Sequence, residues 1–220
     1  ILAGLVGEAA SEYSPLHKST LPTEPYFGGY VAPFDASSLF LVICGVLVVM
    51  YWSENYGARD GALAASSGLS SDSIRNAITA IKADKKIWLI GAISSLFEGS
   101  MYTFVFLWTP VMRDADRNDL PFGIIFAAFM VSCMTGSSLY KVLSVNKVPP
   151  QTASKYTFLV ASVALLIPVL VTSATVVLCA FMLFEACVGI YWPAFGTMKG
   201  MYVPENNRSA IYNVFRVPLN

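Results

Sequence analysis

The chain is a series of apolar runs, each long enough to cross a bilayer, separated by short polar breaks. A crossing takes about 20 residues to span roughly 30 Å of hydrocarbon. Inside that layer every backbone N–H and C=O must be bonded within the structure, so each run is committed to a helix. Pro33 to Trp52 carries no charge after Asp35, and Phe122 to Val142 carries none before Lys141 at its end. Ile87 to Met112 is a further run, which Pro110 and the charged loop Arg113 to Asp119 are expected to end. Tyr156 to Met198 is too long for one crossing and is expected to break at Thr172-Ser173-Ala174-Thr175. With 55% hydrophobic and 13% charged residues and a mean hydropathy of +0.60, the expected class is an all-α polytopic membrane protein.

Three parts follow from the breaks. Residues 1–52 read as the end of one bundle. Ile1 to Ala10 finishes a membrane helix, a loop with Pro15, Pro22, Pro25 and Gly28-Gly29 turns the chain, and Pro33 to Trp52 crosses again. Residues 53–86 are rich in Ser, Gly and Ala and read as a linker. Within it Ser71 and Asp72 can cap a short helix whose Ile74, Ala77, Ile78 and Ile81 recur at i, i+3, i+4 and i+7. That helix is expected to rest on the membrane surface or on the bundle ends rather than to act as a regulatory module. Residues 87–220 read as a second bundle with spans at 87–112, 122–142, 156–172 and 175–198, and a further helix opening at Val214. Both ends fall inside helices, and the start has neither an initiator methionine nor a basic signal region, so the chain is expected to be a fragment.

The basic residues give an orientation. If the linker is cytoplasmic, that side collects eleven of the 14 Lys and Arg residues, leaving Lys18, Arg113 and Arg117 opposite. The single sequon, Asn207-Arg208-Ser209, then lies in the cytoplasm and is expected to be unmodified.

Two acids stand out against this background. Glu98 and Glu185 sit in the similar contexts Leu96-Phe97-Glu98-Gly99 and Leu183-Phe184-Glu185-Ala186, near the middle of their runs. A carboxylate at that depth costs a few kcal/mol to insert and marks a substrate, ion or proton path by default. Two in matching contexts suggest a repeated unit with one site between the copies. Gly91, Ser95, Glu98, Tyr102, Val105 and Thr109 form one largely polar or small stripe. Glu98 there is either a proton carrier or counter-ion lining a cavity, or a protonated acid joining two helices. Glu185 shares its stripe with Met182, Gly189, Trp192 and Gly196, where function and close packing are both open. Ser132, Thr135, Gly136, Ser137 and Ser138 form a hydroxyl-rich patch read first as helix packing and second as anion ligands.

Other chemistry is poorly supported. Cys44, Cys133, Cys179 and Cys187 lie in apolar runs without metal-ligand spacing and are expected to be small buried hydrophobes. His17 is the only histidine, so neither a Ser-His-Asp arrangement nor a histidine metal cluster is available. No phosphate loop or dinucleotide fingerprint is present, and the scattered basic residues fit topology better than nucleic-acid binding. An enzyme is not expected, nor a cofactor.

The run from Ser95 to Pro110, Ser-Leu-Phe-Glu-Gly-Ser-Met-Tyr-Thr-Phe-Val-Phe-Leu-Trp-Thr-Pro, resembles the seventh-span signature of the molybdate-anion transporter family of the major facilitator superfamily. Trp52 to Tyr56, Gly123 to Phe126, Gly136 to Tyr140, Gly189 to Pro193 with Glu185, and Phe215 to Leu219 are similar in the same order. The resemblance implies a twelve-span fold, covered here from the end of span 5 to the start of span 11. It also implies that the spans bearing Glu98 and Glu185 are related by an inverted repeat and line one pathway. Tyr140 to Lys147 departs from the superfamily in lacking an acidic-basic loop signature. The function implied is molybdate uptake by alternating access at the plasma membrane. A dianion needs cations, and none is expected at mid-membrane in this sequence. The expectation is therefore that the missing half of the fold supplies cations, that Glu98 and Glu185 bind protons that enter with the anion, that Ser95 and Tyr102 line the path, and that Arg216 stands at its inner mouth. The alternatives are a proton-coupled carrier of a sugar-like organic solute, and a receptor or scaffold that kept the fold.

Overall fold

A computed structural model describes residues 2–19, 26–53, 71–116, 120–205 and 208–217. Pro22 and Pro25, the linker stretch 54–70, the loop residues Arg117 to Asp119, Asn207 of the sequon and the end at Pro218 to Asn220 lie outside the described residues, as do the side chains of Ser71 and Asp72. The helices are α1 (Leu2–Tyr13), α2 (Ala32–Tyr51), α3 (Ser71–Ala83), α4 (Lys85–Ala115), α5 (Phe122–Val145), α6 (Pro150–Leu170), α7 (Ala174–Tyr202) and α8 (Arg208–Arg216). Five helical segments are long and apolar enough to cross a membrane, with mean hydropathy between 1.3 and 2.1. The protein is an all-α polytopic membrane protein.

The chain forms two compact units, residues 1–62 with 121–128, and residues 63–120 with 129–220. In the first, α1 packs on α2, and two short strands, His17–Lys18 and Tyr26–Phe27, pair antiparallel. The turn before α2 depends on Gly28, whose φ of +80° suits glycine and whose added Cβ would strike the Pro15 carbonyl. Asp35 Oδ2 accepts from the Gly28 N–H at 3.0 Å. Glu8 accepts from the Gly123 N–H at 2.6 Å. Within its apolar window α2 buries nothing, which in water is untenable and in hydrocarbon is ordinary.

In the second unit α7 is the hub, with 56% of its apolar window buried. Gln151 of α6 bonds Tyr202, and Phe158 lies against Phe195, so α6 opposes α7 in direction. Lys86 lies over Tyr202 and Phe104 against Phe181, so α4 also opposes it. Phe129 meets Phe181 and Tyr140 meets Thr197, so α5 runs with α7. These directions alternate along the chain, as successive crossings require. One end thereby gathers Lys86, Lys155 and Lys199.

Helix ends differ from expectation at several points, α5 among them, which runs to Val145 rather than Val142. Pro110 does not end α4, which continues to Ala115. A proline removes one backbone bond and crowds the carbonyl four residues back, but neighbouring helices re-satisfy such groups inside a membrane. Arg113 in the last turn complements the helix dipole. At the other boundaries, α6 starts at Pro150, where a first-turn proline loses nothing, and α7 continues to Tyr202. The amphipathic helix α3 packs against α8 and α4, burying Ala77 and Ile81, so it sits on the bundle end. The cysteines divide: Cys187 is buried and Cys133 half-buried, while Cys44 and Cys179 are exposed on helix faces that hydrocarbon would cover.

Candidate functional site

The site is built around Glu98, whose side chain is 16% exposed midway along α4. Tyr191 of α7 donates its hydroxyl to Glu98 Oε1 at 2.7 Å. Ser94, one turn before Glu98 and 2% exposed, donates to the same oxygen at 3.3 Å and lies 2.9 Å from Tyr191 Oη. Lys199 Nζ, two turns beyond Tyr191 on α7, stands 3.5 Å from Oε1. Thus all the polar partners converge on one carboxylate oxygen, and among the described residues Oε2 takes no hydrogen bond. Lys199 also lies over the ring of Tyr212 on α8, 5.5 Å from its centroid.

Packing holds this group in register. The Tyr191 ring rests between Phe97 (4.5 Å) and Phe195 (4.6 Å), with Phe158 of α6 behind it at 6.4 Å. Tyr191 is 1% exposed, so its hydroxyl has nowhere to go but Glu98 and Ser94. Tyr191→Phe keeps the ring contacts and removes the hydroxyl, leaving Ser94 and Glu98 short of a partner. A loss of about 1–2 kcal/mol is expected, read as a lower unfolding temperature in detergent. An unchanged temperature would mean that the hydroxyl is not buried against Glu98.

The expectation of no mid-membrane cation is corrected by Lys199. Its Cα lies near the end of α7, but its long flexible stem carries the ammonium inward. Ser95 turns out to anchor α8: its hydroxyl donates to the Phe215 carbonyl at 2.6 Å, with the Gly91 carbonyl at 2.9 Å. Gly91 gives the Phe215 ring its place against α4. Tyr102 is half-exposed and adds no contact to the Glu98 group. Arg216 is exposed on α8, where a cleft of about 530 Å³ is lined by Glu205, Arg208, Ser209, Tyr212, Asn213 and Arg216. Tyr212 is the link between that cleft and Lys199.

Glu185 is 8% exposed, one turn before Gly189, where α7 packs on α5. The two glutamates do not meet, because Glu98 is level with Tyr191 and Glu185 lies roughly 9 Å earlier along α7 at ~1.5 Å per residue. Next to it Gly136 sits against the Ala186 backbone, Gly189 sits against the Cys133 carbonyl, and Ser137 donates to the Gly189 carbonyl at 2.9 Å. Thr135 and Ser138 bond back to their own helix. A cavity of about 580 Å³ lies between α4, α6 and α7, with Leu89, Ile93, Phe158 and Phe195 among its walls and Lys86 and Lys155 beside them. Glu98 does not line it.

Sequence reasoning missed Tyr191, Lys199 and Ser94. Ser94 stands at i−4 from Glu98, a spacing that brings side chains together as readily as the i−3 of Ser95.

Comparisons with known proteins agree on the kind of fold. Residues 19–189 match the major facilitator family model described as sugar transporters with twelve transmembrane spans. A molybdate-anion transporter from Xenopus tropicalis is 31% identical over 100% of this chain and 45% of its own length. One from Xenopus laevis is 33% identical over 87% of this chain and 42% of its own. One from Takifugu rubripes is 29% identical over 99% and 47%. The chain therefore spans about half the length of the curated relatives it matches. No solved structure matches the chain.

Proposed function

Because the chain belongs to the twelve-span transporter family of the major facilitator superfamily, we propose that the whole protein is a secondary carrier that takes up molybdate, or a related oxyanion, by alternating access. The observation that carries this reading is identity near 30%, over most of the chain, to proteins named molybdate-anion transporters. The polar groups fit an anion substrate. Arg208 and Arg216 share one cleft, Tyr212 joins it to Lys199, and a tetrahedral oxyanion is bound by guanidinium, ammonium and hydroxyl donors. Two ionised carboxylates would repel a dianion, so Glu98 and Glu185 act as proton-binding groups whose protons enter with it. Ser95 and Tyr102 flank the path from α4, and Arg216 stands at its inner mouth. The working membrane is the plasma membrane, with residues 53–86 in the cytoplasm joining the end of one bundle (1–52) to the second (87–220).

The family description favours a second reading, a proton-coupled carrier of a sugar-like solute. Uptake of molybdate at nanomolar concentration, in cells expressing the full-length protein against vector controls, separates the two. Saturable uptake blocked by tungstate and little by sulfate is expected. Accumulation of a labelled hexose without molybdate uptake would establish the sugar reading instead. In the same assay Glu98→Gln should flatten the response of uptake to external acid with surface level unchanged, and an unaltered response would remove Glu98 from the proton path.

A further inference from the structure

We infer that Lys199 is the positive charge that receives the anion, and that Glu98 holds it in reserve until a proton arrives. This deepens the oxyanion-carrier reading and rests on it.

The argument starts from donors and acceptors. Tyr191 and Ser94 are hydroxyls, each able to donate or accept, whereas the Lys199 ammonium can only donate. When a proton from water adds to Glu98, the free Oε2 can take it without displacing any donor on Oε1. Oε1 remains a carbonyl acceptor, and Tyr191 and Ser94 go on donating to it. Their part of the network survives in either state. Lys199 fares differently: it keeps its own proton, loses the charge it was paired with, and retains at most one share of a neutral oxygen. It is also the farthest of the partners, at 3.5 Å against 2.7 Å for Tyr191. Protonation therefore leaves the hydroxyl pair in place and frees the ammonium.

The freed charge already has a second contact, with the face of Tyr212. That ring lines the cleft containing Arg216, Arg208 and the Glu205 that pairs with Arg208 at 3.8 Å, so release of Lys199 brings a third cation beside a cleft that holds two cations and one carboxylate. The polar and ionisable groups facing the pair, among the described residues, are Ser94 on α4, Tyr191 on α7 and Tyr212 on α8. From α6 only the Phe158 ring reaches Tyr191. Glu185 lies about 9 Å along α7 from the level of Tyr191 and the ammonium, at ~1.5 Å per residue, which is beyond ion-pair distance. The charge balance follows: a Glu98 carboxylate with Lys199 is neutral and indifferent to an anion, and one proton makes the pair singly positive.

The test is equilibrium binding of radiolabelled molybdate to the full-length protein in proteoliposomes, across a pH series from mildly alkaline to mildly acidic. The unaltered protein should bind roughly tenfold tighter at the acidic end, a coupling of ordinary size. Glu98→Gln should bind at that acidic strength throughout, with no slope. Lys199→Gln should bind roughly tenfold or more weakly at every pH, and Lys199→Arg, which keeps the charge, should recover most of the affinity. Unfolding temperatures of all variants guard against misfolding, and the arginine variant reports on charge if the glutamine variant fails to fold. Wild-type-like binding by Lys199→Gln, or a slope retained by Glu98→Gln, overturns the inference and leaves the oxyanion reading standing. Absence of molybdate binding by the unaltered protein at any pH overturns both.

Discussion

Gly189→Val should leave almost no folded protein. A Cβ at Gly189 would overlap the Cys133 carbonyl oxygen of α5, with the Ser137 amide nitrogen only 3.0 Å away. Both are backbone atoms of a regular helix and cannot swing aside, so the substitution is relieved only by moving α5 off α7. That movement would also separate Gly136 from the Ala186 carbonyl and break the bond from Ser137 to the Gly189 carbonyl. In hydrocarbon no solvent force pushes helices together, so close backbone approach through small residues is much of what holds this pair. Overpacking in a tight core costs about 1–3 kcal/mol and sometimes more, which is a large part of a domain's total stability. The comparison to make is Gly196→Val on the same helix, where an added Cβ meets nothing within 4 Å. Expression of monodisperse protein in mild detergent should be near normal for Gly196→Val and nearly absent for Gly189→Val. Equal yields would mean that α5 and α7 are not in backbone contact.

The same two glycines show how far sequence carries. Both lie on the Glu185 stripe, and spacing alone marks both as places where a helix could approach. Only the position of α5 separates the one that is used from the one that is not. The spans themselves were plain, because crossing length is written directly into the number of consecutive apolar residues. Their ends were harder: Pro110 looks like a terminator by soluble-helix rules, yet α4 passes through it. Glu98 was legible as an isolated acid in an apolar run. Its partners were not, because Tyr191 reads as one more aromatic and Lys199 as one more charge at a helix end. Position along the sequence locates the Lys199 backbone; whether its stem runs outward to water or inward to an acid depends on what the neighbouring helix offers.

That dependence on aromatic packing leads to the second large effect. Phe97→Ala should destabilise the second unit by on the order of 2–3 kcal/mol, below the aqueous-core figure because lipid is as apolar as the site and only the cavity and lost contacts count. Phe97 is 8% exposed and contacts the rings of Phe158 (5.0 Å), Tyr191 (4.5 Å) and Phe184 (6.1 Å), so one side chain ties α4 to both α6 and α7. Phe106 on the same helix is 75% exposed, and its truncation should change stability by less than about 0.5 kcal/mol. Thermal unfolding in bicelles gives both values, and equal losses would show that α4 presents a different face to the bundle. A second consequence separates packing from mere stability. Removing the ring beneath Tyr191 frees its hydroxyl from the fixed line to Glu98 Oε1, so the acid loses its shortest partner and Lys199 becomes its main one. Phe97→Ala should then hold Lys199 more firmly and shift molybdate binding toward lower pH, the opposite of Glu98→Gln, even in whatever fraction of the protein still folds.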